Sequence, residues 1–193
     1  MYAYIRGTLV ERNPAYAVID CGGVGYLMHI SLNCYSSLPE KGEVKLFAHL
    51  AIREDAHVLY GFFNESEREV FRKLISVSGV GASTARMVLS ALTPKEVIRA
   101  VQSANVAALK NVKGIGPKTA QRIIVDLRDK ISEAGEIIPE LEGADNTKGG
   151  EALSALVSLG FERKAAEKVV NDIVKESGNI PVEAIIKAAL KKL

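Results

Sequence analysis

The sequence predicts an α+β protein of several small domains, with strands confined to the first third and helices to the rest. Three observations carry that expectation. Residues 1–63 hold five short apolar runs separated by turn residues. Residues 64–131 show helical periodicity interrupted twice by the same glycine pattern. Residues 150–193 return to helical periodicity after an acidic, glycine-rich stretch. The 193-residue chain is 48% apolar, without Trp and with 6% aromatics, so its cores are expected to be mostly aliphatic.

The N-terminal strands are read in order. Tyr2 to Val10, Ala15 to Asp20 and Gly25 to Ile30 have strand composition, with Cys21-Gly22-Gly23 as the turn between the last two. A short polar turn or helix follows, ending at Leu38-Pro39-Glu40-Lys41-Gly42. Val44 to Arg53 and His57 to Phe62 complete the set, with Glu54-Asp55 at the bend. Five short strands in so few residues suggest a small closed barrel of OB-like type, a fold that often binds nucleic acid. By local sequence alone, Glu54-Asp55 is an acidic, solvated β-turn.

In the helical region, Asn64 or Ser66 can cap a first helix carrying Val70, Phe71, Leu74 and Ile75. Thr93-Pro94-Lys95-Glu96 combines a cap, Pro at the first helical position and Glu at the third. Ala120, Ile123, Ile124 and Leu127 mark a later helix; about five helices are expected. Two segments 35 residues apart repeat one another. They read Leu74-Ile75-Ser76-Val77-Ser78-Gly79-Val80-Gly81-Ala82-Ser83-Thr84-Ala85 and Leu109-Lys110-Asn111-Val112-Lys113-Gly114-Ile115-Gly116-Pro117-Lys118-Thr119-Ala120. Each runs through Gly-x-Gly into a new helix, whose first N–H groups lack helical partners and suit a phosphate oxygen. Ser83 and Thr84 in the first copy, and Lys118 and Thr119 in the second, fall in the opening turn. Lys113 lies just before it, and Arg86 and Arg122 about one turn later. A Gly-x-Gly that only turns one helix into another would explain a single copy. It explains poorly why hydroxyl and basic residues follow both.

Charge supports a phosphate ligand. Net charge is −2 over residues 1–65, +7 over 66–130, −4 over 131–149 and +1 over 150–193. Other chemistry lacks its pattern. Gly116-Pro117-Lys118-Thr119 has no Gly directly before Lys and no preceding strand, so it fails as a nucleotide P-loop. Cys21 and Cys34 lack metal spacing and are too few for a disulfide framework. His29, His49 and His57 are scattered, and no nucleophile–base arrangement stands out. No cofactor or metal is expected. The opening residues do not read as a signal peptide, and no run reaches membrane-spanning length. Residues 132–149 read as a flexible acidic linker, and Glu151–Leu159, Arg163–Glu176 and Pro181–Leu193 as three helices of a C-terminal domain at 150–193.

The paired turns resemble the helix-hairpin-helix motif of DNA-binding proteins without sequence preference. Three features extend the resemblance to the whole chain: Met1-Tyr2-Ala3-Tyr4-Ile5-Arg6-Gly7, Arg53-Glu54-Asp55-Ala56 leading to Leu59-Tyr60-Gly61-Phe62, and Gly114-Ile115-Gly116-Pro117-Lys118-Thr119-Ala120. Together they resemble the RuvA family, bacterial Holliday-junction-binding subunits. The resemblance implies a cytoplasmic homotetramer on four-way junction DNA, one or two tetramers per junction, built through the barrel at 1–63. Residues 64–131 would be the tandem DNA-binding hairpins, with Gly79, Gly81, Gly114 and Gly116 at the phosphates. Glu54 and Asp55 would form an acidic pin at the crossover. The C-terminal three-helix, UBA-like domain would dock a RuvB-type hexameric AAA+ ATPase through Leu156, Leu159, Phe161 and Leu190. A RuvC-type resolvase is a further implied partner. The first hairpin departs from the stronger form, with Ala82 and Ser83 where the second has Pro117 and Lys118. A structure-selective nuclease would need a carboxylate cluster that the sequence does not offer. A simple duplex- or RNA-binding module would show no junction preference; Tyr2, Tyr4, Tyr16 and Tyr26 could serve either as stacking aromatics or as barrel residues.

Overall fold

The computed structural model describes residues 2–133, 148–177 and 180–193. They fall into two compact units, one reaching through Glu133 and the other starting from Lys148.

Five strands open the first unit: β1 Tyr4–Arg12, β2 Tyr16–Asp20, β3 Gly25–His29, β4 Gly42–Arg53 and β5 Ala56–Phe62. They close in the order β1-β2-β3-β5-β4, with β4 pairing back onto β1 from Tyr4↔Phe47 to Leu9↔Gly42. All neighbours are antiparallel except β3 and β5. Side chains alternate across each strand, so Ala17 and Ile19 of β2 and Val44, Leu46 and Ala48 of β4 all point inward. With Ile5, Leu9 and Met28 they fill the barrel. β1 starts later than expected and runs to Arg12. A bulge between Leu9 and Glu11 leaves Val10 as the extra, exposed residue. Arg12 then fastens the strand end by donating to the Leu38 carbonyl at 2.7 Å and lying over the Tyr35 ring.

The polar stretch after β3 is a six-residue helix, α1 Leu32–Ser37, capped by Ser31. Five further helices complete this unit: α2 Glu65–Ile75, α3 Ala82–Ala91, α4 Pro94–Gln102, α5 Val106–Lys110 and α6 Pro117–Glu133. Asn64 is the cap of α2, and Thr93 and Glu96 form a complete capping box on α4. The helices share one aliphatic core, and Tyr60 and Phe62 of β5 belong to it. Phe71 of α2 is the bridge, with ring centroids 4.8 Å from Phe62 and 5.1 Å from Tyr60. Barrel and helices, separated at residue 63 in the sequence reading, therefore pack as one body.

The second unit holds α7 Lys148–Ser158, α8 Arg163–Ser177 and α9 Val182–Ala189 around Ala152, Leu156, Ala166, Val170, Ile173, Ile185 and Ala189. Of the stretch read as a linker, Ser132 and Glu133 continue α6 and Lys148 and Gly149 open α7. Residues 134–147 lie outside the described residues. Among the described residues, no helix is long and apolar enough to cross a membrane.

One acid is buried where barrel and helices meet. Glu67 of α2 is 2% exposed and accepts a hydrogen bond from the Ser31 hydroxyl. Burial pushes its carboxyl up to about 7, against the opposing help of Ser31 and the Phe63 backbone. The folded protein thus holds this proton more tightly than the unfolded chain. The burial penalty is absent below about pH 4.5, grows as pH rises toward 7 and is constant above it. Glu67→Gln keeps an acceptor for Ser31 without the charge. It should raise the melting temperature at pH 8, by on the order of 3 kcal/mol of stability at most, and leave it nearly unchanged at pH 4.5. Thermal melting of both proteins across that range measures the effect.

Candidate nucleic-acid interface

The two glycine turns are the same structure twice. In the first, Val77 N–H donates to Leu74 O at 3.1 Å, Val80 N–H to Val77 O at 3.0 Å and Ala85 N–H to Gly81 O at 2.9 Å. In the second, Val112 donates to Leu109 at 3.1 Å, Ile115 to Val112 at 3.1 Å and Ala120 to Gly116 at 2.9 Å. Gly79 and Gly114 have φ of 88° and 89°, the left-handed backbone that glycine adopts without steric cost. Val77, Val80, Val112 and Ile115 are buried in the shared helical core, which staples both turns to one body.

Each turn delivers an open helix start. In this unit α1, α2, α4 and α5 are capped by the side chains of Ser31, Asn64, Thr93 and Asn105. The helices α3 and α6 instead follow Gly81 and Gly116, which have no side chain to offer. Their first-turn N–H groups, from Ala82 to Thr84 and at Lys118 and Thr119, are left for an outside acceptor. A Cβ added at Gly81 or Gly116 would meet nothing within 4 Å, and neither has a positive φ. The fold does not require glycine at these two positions. Glycine there leaves the backbone at both helix starts bare and open to approach.

The surrounding side chains are unequal. Lys113 and Lys118 are exposed beside the second turn, and Thr119 is half-buried in its opening turn. Arg122 is exposed, with Nε 3.9 Å from Asp126, a surface pair of small energetic weight. Ser83 and Thr84 occupy the first opening turn. Arg86, expected beside the first phosphate turn, donates through Nη1 to the Ala15 carbonyl in the β1–β2 turn at 2.8 Å. Lys110, exposed at the last turn of α5, places a further basic side chain just before the second turn.

Glu54 and Asp55 form a two-residue exposed turn between β4 and β5, closed by the Arg53↔Ala56 pair. His29 packs against Tyr60 and His49 against Phe71, and burial lowers the pKa of both, so each is held as a neutral packing residue. In the second unit, Leu159 and Leu190 are 63% and 45% exposed, and Phe161 packs partly against the helical core. Leu156 is a correction. It is fully buried among α7, α8 and α9, so it builds the core and presents no surface to a partner.

Family profiles cover nearly the whole chain. They match the RuvA N-terminal domain over residues 1–61, a SAM-like helix-hairpin-helix tandem over 71–129 and the RuvA C-terminal domain over 148–193. Proteins from Christiangramia forsetii and Flavobacterium psychrophilum are each 52% identical to this chain, over the full length of both sequences. One from Bacteroides thetaiotaomicron is 51% identical, again over all of both chains. The chain belongs to the RuvA family. All three relatives carry the name Holliday junction branch migration complex subunit RuvA. The helix-hairpin-helix tandem profile begins at Phe71 and ends within α6, so it takes in both turns, α3 and most of α6.

The bare glycines can be tested apart from the fold. Gly116→Ala places a methyl group where a phosphate would approach the backbone and costs about 1 kcal/mol or less in stability. Loss of one charge-assisted hydrogen bond should weaken DNA binding on the order of tenfold. Thermal melting and fluorescence-anisotropy titration on the same protein separate the two effects.

Proposed function

We propose that this chain is the DNA-binding subunit of a Holliday junction branch-migration complex. The observation that carries this reading is the pair of matching glycine turns, each opening an uncapped helix start on the most basic segment of the chain. Backbone N–H groups hold phosphates whatever the base, so recognition follows the DNA backbone and its shape. Lys118, Lys113 and Thr119 supply the stronger grip, and Ser83 and Thr84 with the backbone of α3 the weaker one. Four copies assembled through the barrel would match four duplex arms. The exposed carboxylates of Glu54 and Asp55 would then repel phosphates at the crossover and keep the strands apart.

In this reading the chain is not itself an enzyme. ATP hydrolysis resides in a RuvB-type hexameric AAA+ partner, docked through the exposed Leu159 and Leu190 with Phe161 beside them. A RuvC-type resolvase shares the junction, and the complex works in the cytoplasm.

A competition gel shift tests the central claim. A four-way junction should outcompete linear duplex of the same length and sequence, in moderate salt without added metal. Equal binding would leave a general duplex binder and refute the junction reading. The phosphate contacts carry their own signature. Lys118→Ala with Thr119→Ala should weaken binding to every DNA sequence alike and reduce the slope of log K against log salt by about 0.9 per lost phosphate contact.

A further inference from the structure

Helix α1 is held to the barrel at its C-terminal end by Arg12, but the hydrogen bonds at its N-terminal end go to the hairpin helices. Ser31, its cap, donates to Glu67 of α2. Leu32 N–H donates to Ser90 Oγ of α3 at 3.1 Å. Asn33 Nδ2 donates to the Leu89 carbonyl at 2.6 Å and the Leu92 carbonyl at 3.1 Å. Leu92 is the C-cap of α3, so both acceptors lie in the last turn, where carbonyls have no helical partner. The other hydrogen bonds described between barrel and helices also land on α2 and α3. Arg68 reaches the Ala3 carbonyl, and Arg86 the Ala15 carbonyl.

The helix α3 is thus a short rod, about 15 Å long. It is tied to the barrel at its middle by Arg86 and at its C-terminal end by Asn33, while its N-terminal end is the open first turn. Fixing one end of a rod aims the other. The second turn follows through the common core rather than through the barrel contacts described here. Only a side-chain amide offers two N–H donors on so short a stem, which is what the pair of α3 carbonyls takes up.

We propose that Asn33 is a positioning residue. By holding the C-terminal end of α3, it sets the first phosphate turn at a fixed spacing from the acidic Glu54-Asp55 turn. This rests on the junction reading above. A linear duplex engages the hairpins alone, whereas a junction must meet hairpins and acidic turn together, so a loosened α3 penalises the junction selectively. The weaker first hairpin, with Ala82 and Ser83 in place of Pro117 and Lys118, then serves as the positional reference while the second supplies the grip.

Two variants test this: Asn33→Leu, similar in volume but without donors, and Asn33→Gln, which keeps the amide one methylene further out. Dissociation constants for a four-way junction and a linear duplex of the same sequence are measured with thermal melting. The expected result for Asn33→Leu is a roughly tenfold loss on the junction and less than about a twofold change on duplex, with Asn33→Gln recovering part of the preference. A proportional loss on both DNAs, or an unchanged ratio, overturns the proposal. Should Asn33→Leu fail to fold, Ser90→Ala removes a second tie to α1, and a fall in the same ratio is expected. A wild-type protein without junction preference is a different result, since it removes the junction reading itself.

Discussion

The arrangement depends on one shared aliphatic core. Phe71 joins the end of β5 to the helices, and Val77, Val80, Val112 and Ile115 anchor both glycine turns in the same packed interior. Close-packed cores resist small displacements, so the two turns are held as parts of one rigid body. Backbone N–H groups bind phosphate well only when they are already aimed, because ordering a loose turn upon binding would consume the gain. Leaving two helix starts uncapped, in a unit whose other described helix starts carry side-chain caps, is tolerable because the surrounding core holds those starts in place.

Charge is separated along the same body. The segment with the turns carries a net charge of +7, and the two carboxylates of the β4–β5 turn stand exposed in a barrel segment of net −2. A basic surface with backbone donors draws any phosphate chain toward it, and the acidic turn rejects it locally. In the proposed function, discrimination between DNA shapes would come from where attraction and repulsion sit relative to each other. That distance is a property of how the barrel holds α2 and α3, which gives the polar contacts of Ser31, Leu32 and Asn33 their importance.

The second unit solves a different problem with little material. Three helices share one small core, in which Ala152, Ala166 and Ala189 are buried together with Leu156 and Ile185. With Leu156 committed inward, Leu159 and Leu190 are among the apolar side chains left on the outside, together with Val157, Val174 and Leu193.

Much of this was readable from local pattern. Alternation in Val44-Lys45-Leu46-Phe47-Ala48, the Thr93–Glu96 capping box and the repeated Val-x-Gly-x-Gly turns follow from strand period, helix-end chemistry and backbone sterics, which act over a few residues. The five strands, five hairpin-region helices and three C-terminal helices were all expected from such signals. What local pattern could not assign was orientation. Leu156 lies within α7 while Leu159 and Leu190 lie just past the ends of α7 and α9, and only packing among α7, α8 and α9 decides which of these leucines is core. Arg86 follows the first turn much as Arg122 follows the second, yet the nearby β1–β2 turn draws it to the Ala15 carbonyl. Asn33 falls in a stretch that local pattern reads only as a short polar turn or helix. The sequence by itself determined the elements, the duplicated turns and their basic setting. Tertiary structure alone decided the joint between barrel and hairpins, because hydrogen bonds between residues 36 to 59 positions apart exist only once both parts have folded against each other.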